Sequence, residues 1–120
     1  MNTYMLLLYN RPDDFAHVGP EEMQAVVEKY KAWGESLQAA GRLVGSDKLV
    51  DEEGRVLSRR GGSLSITDGP FSETKEVVGG YFAIQAESYD DAVEVAKGCP
   101  HIDFGTIEIR AVDAMHDANP

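Results

Sequence analysis

The sequence predicts a single α+β domain of the ferredoxin-like, split β-α-β type, with an antiparallel sheet and an inserted β-hairpin. Three observations lead to this prediction. Strand-type and helix-type patterns follow one another in the order strand, helix, strand, hairpin, strand, helix, strand. A glycine pair, Gly61-Gly62, separates two short alternating segments, as in a tight hairpin. The chain has 120 residues, a length typical of one domain.

The first two elements are an apolar strand and an amphipathic helix. Residues Thr3 to Tyr9 form a near-continuous apolar run, which predicts a strand buried on both faces or a central strand. A helix over residues 20 to 40 begins at Gly19-Pro20, because proline suits the first helical turn, and ends at Gly41 as a left-handed cap. Apolar residues at steps of three and four form one face of this helix: Met23, Val26, Val27, Tyr30, Trp33 and Leu37.

The middle of the chain predicts three strands. Residues 42 to 50 predict one strand with an irregularity at Gly45. Residues 55 to 58 and 63 to 67 alternate on either side of the glycine pair and predict the two strands of the hairpin.

The C-terminal half predicts a strand, a short helix and a closing strand. Residues 80 to 86 alternate and contain two aromatic side chains. Ser88 is the expected N-cap of a helix that Gly98-Cys99-Pro100 ends. Residues 106 to 112 alternate and form the last strand, so the domain covers residues 1–112 and the polar tail covers 113–120.

This order of elements places both helices on one face of the sheet and leaves the other face uncovered within one chain. An apolar sheet face of that size must be buried by another surface. A second copy of the same chain, related by a two-fold axis, is the simplest cover. We therefore predict a homodimer with the two sheets face to face.

Composition excludes several classes of function. The formal net charge of −10 argues against nucleic-acid binding, which needs clustered Lys and Arg. No apolar run approaches the roughly twenty residues of a membrane-spanning helix, and the N-terminal run is too short for a signal peptide. The single cysteine, Cys99, cannot form an intrachain disulfide, which fits a reducing compartment. We therefore expect a cytoplasmic protein with no membrane contact.

The segment from Thr67 to Tyr81 carries the most specific pattern in the chain. Asp68-Gly69-Pro70-Phe71, with Glu73-Thr74-Lys75-Glu76 and Gly79-Gly80-Tyr81 behind it, resembles the signature of the DGPF group of YCII-related proteins. The apolar first strand, Gly41-Arg42-Leu43, and Cys99-Pro100 followed by residues 105 to 110 match the same group. The resemblance extends from about residue 3 to residue 112.

The resemblance implies a dimeric α/β-barrel protein with a cleft between the sheet and the helices or at the dimer contact. That superfamily includes muconolactone isomerases and small monooxygenases. For the founding YCII group it also implies a His–Asp pair. In this chain the two positions are occupied by Tyr30 and Cys99, which lack the required chemistry. Relatives of the DGPF group are often encoded beside extracytoplasmic-function sigma factors, which implies a functional link to such a factor.

Two residues are candidates for catalysis. Asp68 is a general base or a ligand-orienting carboxylate if it is buried, and otherwise the first residue of a turn bonded to its own backbone. His101 is able to shuttle protons near neutral pH, with Asp103 or Asp68 as its orienting partner, or is a plain loop residue. Cys99 lies at a helix C-terminus, where the dipole disfavours a thiolate, so we interpret it as structural.

Six further residues are candidates for ligand binding. Phe71 lines a cleft or packs in the core, and Tyr30 has the same two alternatives. Arg110 pairs with Glu108 or reaches an acidic residue of the loop from Asp68 to Glu76. The charged loop residues contact a polar ligand or form surface ion pairs with one another: Glu73, Lys75 and Glu76. No pair of histidines has the local spacing of metal ligands, so we expect no metal and no cofactor.

Two functions from different classes follow. The first is a small-molecule-binding homodimer whose cleft is rimmed by the loop from Asp68 to Glu76. The second is a cofactor-independent isomerase, lyase or monooxygenase that acts on a small organic acid by acid–base chemistry. A module that only docks a partner protein is a third alternative.

Overall fold

A computed structural model describes residues 1–69 and 75–113, apart from the side chains of Pro12 and Arg60. The strands and helices are β1 (Asn2–Asn10), α1 (Pro20–Ala39), β2 (Leu43–Lys48), β3 (Arg55–Arg60), β4 (Ser63–Asp68), β5 (Val77–Ala86), α2 (Tyr89–Ala96) and β6 (Thr106–Ala111). Every predicted element is present. Two short 3₁₀ helices, Pro12–Phe15 and Pro100–Asp103, were not predicted, and β5 begins three residues earlier than its alternating pattern suggested.

Four strands form one antiparallel sheet in the order β2-β5-β1-β6. In terms of the four core strands this order is 2-3-1-4, the arrangement that a split β-α-β unit produces when each helix crosses between strands of the same sheet. The predicted α+β, ferredoxin-like fold class is therefore confirmed. The predicted irregularity in β2 is also present, since the register of β2 against β5 shifts between Leu43 and Gly45.

The core lies between the sheet and the two helices, and β1 is at its centre. Alternate residues of β1, namely Tyr4, Leu6 and Leu8, are buried. They pack with Leu37 of α1 and with alanines of α2. The residues between them on β1 are only partly buried. The strand is therefore central, as predicted, but it is fully buried on one face and not on both.

Local signals set the ends of both helices. In α1, Pro20 follows the extended N-cap Gly19, and the helix ends just before Gly41, which adopts the predicted left-handed conformation with φ of 71°. In α2, the Ser88 hydroxyl accepts a hydrogen bond from the Asp91 N–H at 3.1 Å, as expected for an N-cap serine.

Strands β3 and β4 form a separate two-stranded sheet. Gly61 and Gly62 have φ of 58° and 84°, and two consecutive positive φ values are what a two-residue type I′ turn requires. The predicted hairpin is confirmed. Its apolar side chains are largely exposed: Val56, Leu57, Leu64 and Ile66.

The face of the four-stranded sheet that points away from the helices carries Met5, Leu7 and Tyr9 from β1. Among the described residues, no helix covers these side chains. The homodimer that would cover them stays a prediction. The expected tail beyond Asp113 lies outside the described residues. In the described ranges, no helix has the length and apolar character needed to cross a membrane.

Candidate functional site

A cavity of about 640 Å³ lies between α1 and the four-stranded sheet. Its size falls within the range of small-molecule sites, roughly 300–1,000 Å³. Apolar side chains from the sheet, from α1 and from the first 3₁₀ helix line much of it: Leu8, Phe15, Val27, Leu43 and Phe82. We call this space the α1 cleft.

A glycine of α1 helps to make room for the α1 cleft. Gly34 lines the cleft, and a Cβ atom at this position would stand 3.5 Å from Cε1 of Phe82 on β5. That is an ordinary contact distance, so an alanine fits here while a longer side chain would extend into the cavity. The glycine inside α1 therefore leaves space that most side chains would fill.

The polar wall of the α1 cleft is a hydrogen-bonded chain of three groups. Tyr30 Oη lies 2.8 Å from Nδ1 of His101. Nε2 of His101 lies 2.8 Å from the backbone carbonyl oxygen of Tyr9. Tyr30 and His101 both line the cleft, although only 3% of His101 is exposed. A buried imidazole therefore connects the cleft wall to the backbone of the central strand.

The carbonyl of Tyr9 fixes the tautomer of His101. A carbonyl oxygen only accepts, so Nε2 carries the proton and donates it to Tyr9. In the neutral ring Nδ1 is then bare and accepts the hydrogen bond from the Tyr30 hydroxyl. This arrangement orients the imidazole and gives Tyr30 a base within hydrogen-bonding distance, the geometry of a general acid–base pair.

Burial favours the neutral form of both titratable groups of this wall, His101 and Tyr30, and of Cys99, which lies two residues before His101. It lowers the pKa of His101, despite opposing effects of the Tyr9 carbonyl and the carboxylates of Asp14 and Glu76. It also raises the pKa of the Tyr30 hydroxyl, and that of the Cys99 thiol to about 11. Cys99 is thus a protonated core side chain, consistent with the structural role predicted for it.

A glycine allows the close approach of His101 to Tyr9. A Cβ atom at Gly105 would lie 2.0 Å from the Tyr9 carbonyl oxygen and 2.9 Å from Nε2 of His101. Neither backbone nor ring has room for such an atom. Gly105 is therefore a positioning residue for the imidazole, and its role was not evident in the sequence.

Charged side chains also line the α1 cleft. Lys31 and Glu35 lie on α1, and Lys48 lies at the end of β2. The ammonium group of Lys48 donates to the Leu49 carbonyl oxygen at 2.5 Å and to Oδ1 of Asp51 at 2.9 Å. The α1 cleft thus combines an apolar interior with charged groups of both signs.

The structure brings two of the predicted site residues together and places the others elsewhere. Tyr30 and His101 are in contact, while the aspartates expected to orient His101, Asp103 and Asp68, are not its hydrogen-bond partners among the described residues. Asp68 is exposed and lies 3.4 Å from the Arg55 guanidinium, on the hairpin and outside the lining of the α1 cleft.

The remaining candidates lie on other surfaces. Arg110 faces away from the helices and lies opposite Met5 of β1. Glu108, one of the two expected partners of Arg110, accepts a hydrogen bond from the Tyr9 hydroxyl at 3.0 Å. Glu76 accepts one from the Thr106 hydroxyl at 2.9 Å, and Lys75 is exposed. Phe71 and Glu73 lie outside the described residues.

A second cavity of about 450 Å³ lies at the base of the hairpin, where Gly54, Arg55, Gly69 and Val77 contribute to its lining. Its lining includes Gly69, the last described residue before 70–74, and we assign this cavity no role. In the described part of the chain, no three His, Cys, Asp or Glu side chains are grouped as metal ligands.

Comparison with known proteins identifies relatives. An uncharacterised protein of Rhizobium meliloti (strain 1021) is 29% identical over 110 residues, which is 89% of each chain. Among solved structures, the 5-chloro-2-hydroxyhydroquinone dehydrochlorinase of Burkholderia phenoliruptrix AC1100, in complex with 2,5-dihydroxybenzoquinone, is similar with a TM-score of 0.47 and 16% identity. That similarity covers 95% of this chain and 97% of the enzyme. The sequence model of the YCII-related domain matches residues 2–116. Because this match covers nearly the whole chain, the protein belongs to the YCII-related domain family.

Proposed function

We propose that the protein binds a small, mainly apolar molecule in the α1 cleft, with Tyr30 and His101 as its polar anchor. The observation that carries this proposal is the hydrogen bond between Tyr30 Oη and Nδ1 of His101, set in the wall of an apolar cavity of about 640 Å³. An apolar pocket with a few convergent polar groups is the usual form of a small-molecule site. The loop from Asp68 to Glu76, predicted from the sequence as the rim of the cleft, is not required by this proposal.

Substitutions at Gly34 test the proposal. Gly34→Leu places a side chain in the cavity, whereas Gly34→Ala adds one methyl group at an ordinary contact distance and is the matched control. A thermal-shift screen of small organic acids, phenols and nucleotides supplies the ligand, since a molecule that binds only the folded state stabilises it, by about 2.7 kcal/mol at a hundred times its Kd.

We expect a ligand that raises the Tm of the wild type and of Gly34→Ala, and leaves the Tm of Gly34→Leu unchanged. Alanine itself favours the helix by up to about 1 kcal/mol, so each variant is compared with its own unliganded sample. An equal shift in Gly34→Leu would place the ligand outside the α1 cleft and contradict the proposal.

A second candidate function is cofactor-independent acid–base catalysis in the same cleft, as an isomerase, lyase or monooxygenase. The fixed tautomer of His101 favours it, because Nδ1 stands ready to accept a proton through the Tyr30 hydroxyl. Chemical change of a bound molecule, followed by NMR of the ligand with and without the protein, separates catalysis from binding.

The homodimer is part of the same proposal. Met5, Leu7 and Tyr9 form an apolar row on the sheet face opposite the α1 cleft. A second copy on that face would bury this row and leave both clefts open, since each cleft lies on the helix side of its own sheet. The proposed cellular setting is cytoplasmic, with a functional link to an extracytoplasmic-function sigma factor.

A further inference from the structure

The protons in the wall of the α1 cleft are all assigned by the hydrogen bonds that the wall makes. The single ring proton of neutral His101 is donated to the Tyr9 carbonyl. The single hydroxyl proton of Tyr30 is donated to Nδ1 of His101. Tyr30 Oη therefore has no proton left for a molecule in the cavity, although it keeps lone-pair capacity.

A wall of this kind discriminates between ligand groups. A hydroxyl or N–H group of a ligand is able to donate to Tyr30 Oη. A carbonyl or ether oxygen at the same place would meet another acceptor, and would lose its hydrogen bonds to water without replacement. The apolar side chains of the lining offer no donor to compensate that loss, and the ammonium group of Lys48 already donates to the Leu49 carbonyl and to Asp51.

A proton taken up from solvent by His101 reverses the hydrogen bond between Tyr30 and His101, and leaves the bond to Tyr9 as it was. The imidazolium carries a proton on each nitrogen, so Nε2 still donates to Tyr9 while Nδ1 now donates to Tyr30 Oη. The Tyr30 hydroxyl is then free to turn its proton toward the cavity. The same oxygen changes from an acceptor to a donor for the ligand.

We propose that the α1 cleft selects apolar molecules carrying a hydroxyl or N–H donor while His101 is neutral, and that protonation of His101 shifts the preference toward acceptor groups. This inference rests on the proposed function, because it concerns the ligand of the same cleft. It adds the chemical class of the ligand, an apolar molecule that carries a hydroxyl or N–H group.

The charged groups around His101 influence the pH at which it becomes protonated and the ligand preference changes. Asp14, on the first 3₁₀ helix, and Glu76, beside the start of β5, favour the imidazolium, while Lys48 at the end of β2 opposes it. Burial disfavours the imidazolium more strongly, so the pKa of His101 lies below the ordinary value of 6.5. The donor-selecting state is therefore the one present at neutral pH.

Three probes of similar size test the inference: phenol, which donates, and anisole and acetophenone, which only accept. Their dissociation constants are measured by NMR titration of the protein at about pH 8 and at decreasing pH. The ring resonances of His101 report its charge in the same samples. We expect phenol to bind about threefold to tenfold more tightly than the other two at pH 8, the factor that one hydrogen bond supplies. The difference in affinity between phenol and the other two probes should decrease as His101 becomes protonated.

Two variants separate the contributions. Tyr30→Phe removes the oxygen, so the three probes should bind with nearly equal affinity at every pH. Tyr89→Phe makes the same change on α2, away from the α1 cleft lining, and should keep the preference of the wild type.

The outcomes distinguish this inference from the proposed function. Equal affinity for all probes in the wild type at pH 8, with binding still abolished by Gly34→Leu, would overturn the donor preference and keep the cleft as a binding site. A preference that changes with pH while the His101 resonances stay constant would overturn the role of His101. Absence of saturable binding by every probe would contradict both proposals.

Discussion

Strand β1 and hairpin strand β3 have similar local signals and opposite surroundings. Leu6 on β1 is fully buried, at 0% exposure, whereas Leu57 on β3 is 63% exposed. Both lie in paired antiparallel strands, Leu6 opposite Phe82 and Leu57 opposite Ile66. The difference lies in the second layer, because β1 packs under two helices and no described element packs on the hairpin to a comparable extent.

The comparison shows which part of the molecule supports the site. An isolated two-stranded hairpin is at best marginally stable in water, while a sheet covered by helices forms a cooperative core. Every described group of the Tyr30–His101–Tyr9 chain comes from the covered part. The loop from Asp68 to Glu76, in contrast, begins at the end of the hairpin.

The largest effect should come from Leu6→Ala. Removal of a buried leucine side chain costs about 2–5 kcal/mol, the lost transfer free energy together with the cavity left behind. Chemical denaturation followed by circular dichroism measures the free energy of unfolding. A loss below about 1 kcal/mol would mean that β1 is less tightly packed than the structure indicates.

A smaller effect should follow from acidification. The pKa of His101 is lowered by burial in the folded state, so the unfolded state takes up a proton more readily. The stability associated with neutral His101 is therefore complete above the unfolded pKa of about 6.5 and is lost as the pH falls toward the folded pKa. One proton limits the slope to about 1.4 kcal/mol per pH unit.

Denaturation between pH 8 and pH 5 measures this slope, and His101→Gln is the control because it removes the titrating ring. The variant should be less stable at pH 8 and show a flatter pH profile than the wild type. The carboxylate of Asp91, whose pKa is lowered chiefly by the Glu87 N–H and also by Arg42, loses its contribution only at lower pH, so the two groups are separable. Parallel profiles for wild type and variant would show that His101 does not titrate with unfolding.

The sequence predicted the elements well because their signals are local. Ser88 caps α2, and Gly61-Gly62 forms the hairpin turn, through interactions within a few residues. The site was predicted only in part. Tyr30 and His101 were each candidates, but they are 71 residues apart, and their contact depends on how α1 packs against the second 3₁₀ helix. The resemblance carried a usable signal, since its paired positions fall at Tyr30 and two residues before His101.

The expectation for Asp68 shows the limit of local patterns. Polar residues beside turn glycines suggested a site rim, but the pattern does not say where the hairpin lies relative to the cleft. The strand that contains Asp68 joins the hairpin, where the carboxylate is exposed and paired with Arg55. The roles of Gly34 and Gly105 were equally invisible, because glycines that leave space for a cavity or allow a close approach look like any other glycine in a single sequence.

The smallest effect should come from Leu57→Ala, the same chemical change as Leu6→Ala at an exposed position of the hairpin. Exposed substitutions typically alter stability by less than about 0.5 kcal/mol, and none of the described elements forms a layer over Leu57. The free energy of unfolding is measured over a range of protein concentrations, which also tests whether a second copy covers the hairpin. A loss above about 1 kcal/mol that grows with concentration would mean that a second copy covers the hairpin, because stability gained from association depends on protomer concentration. A small loss at every concentration would confine any contact between copies to other surfaces, such as the row of Met5, Leu7 and Tyr9 on the open face of the sheet.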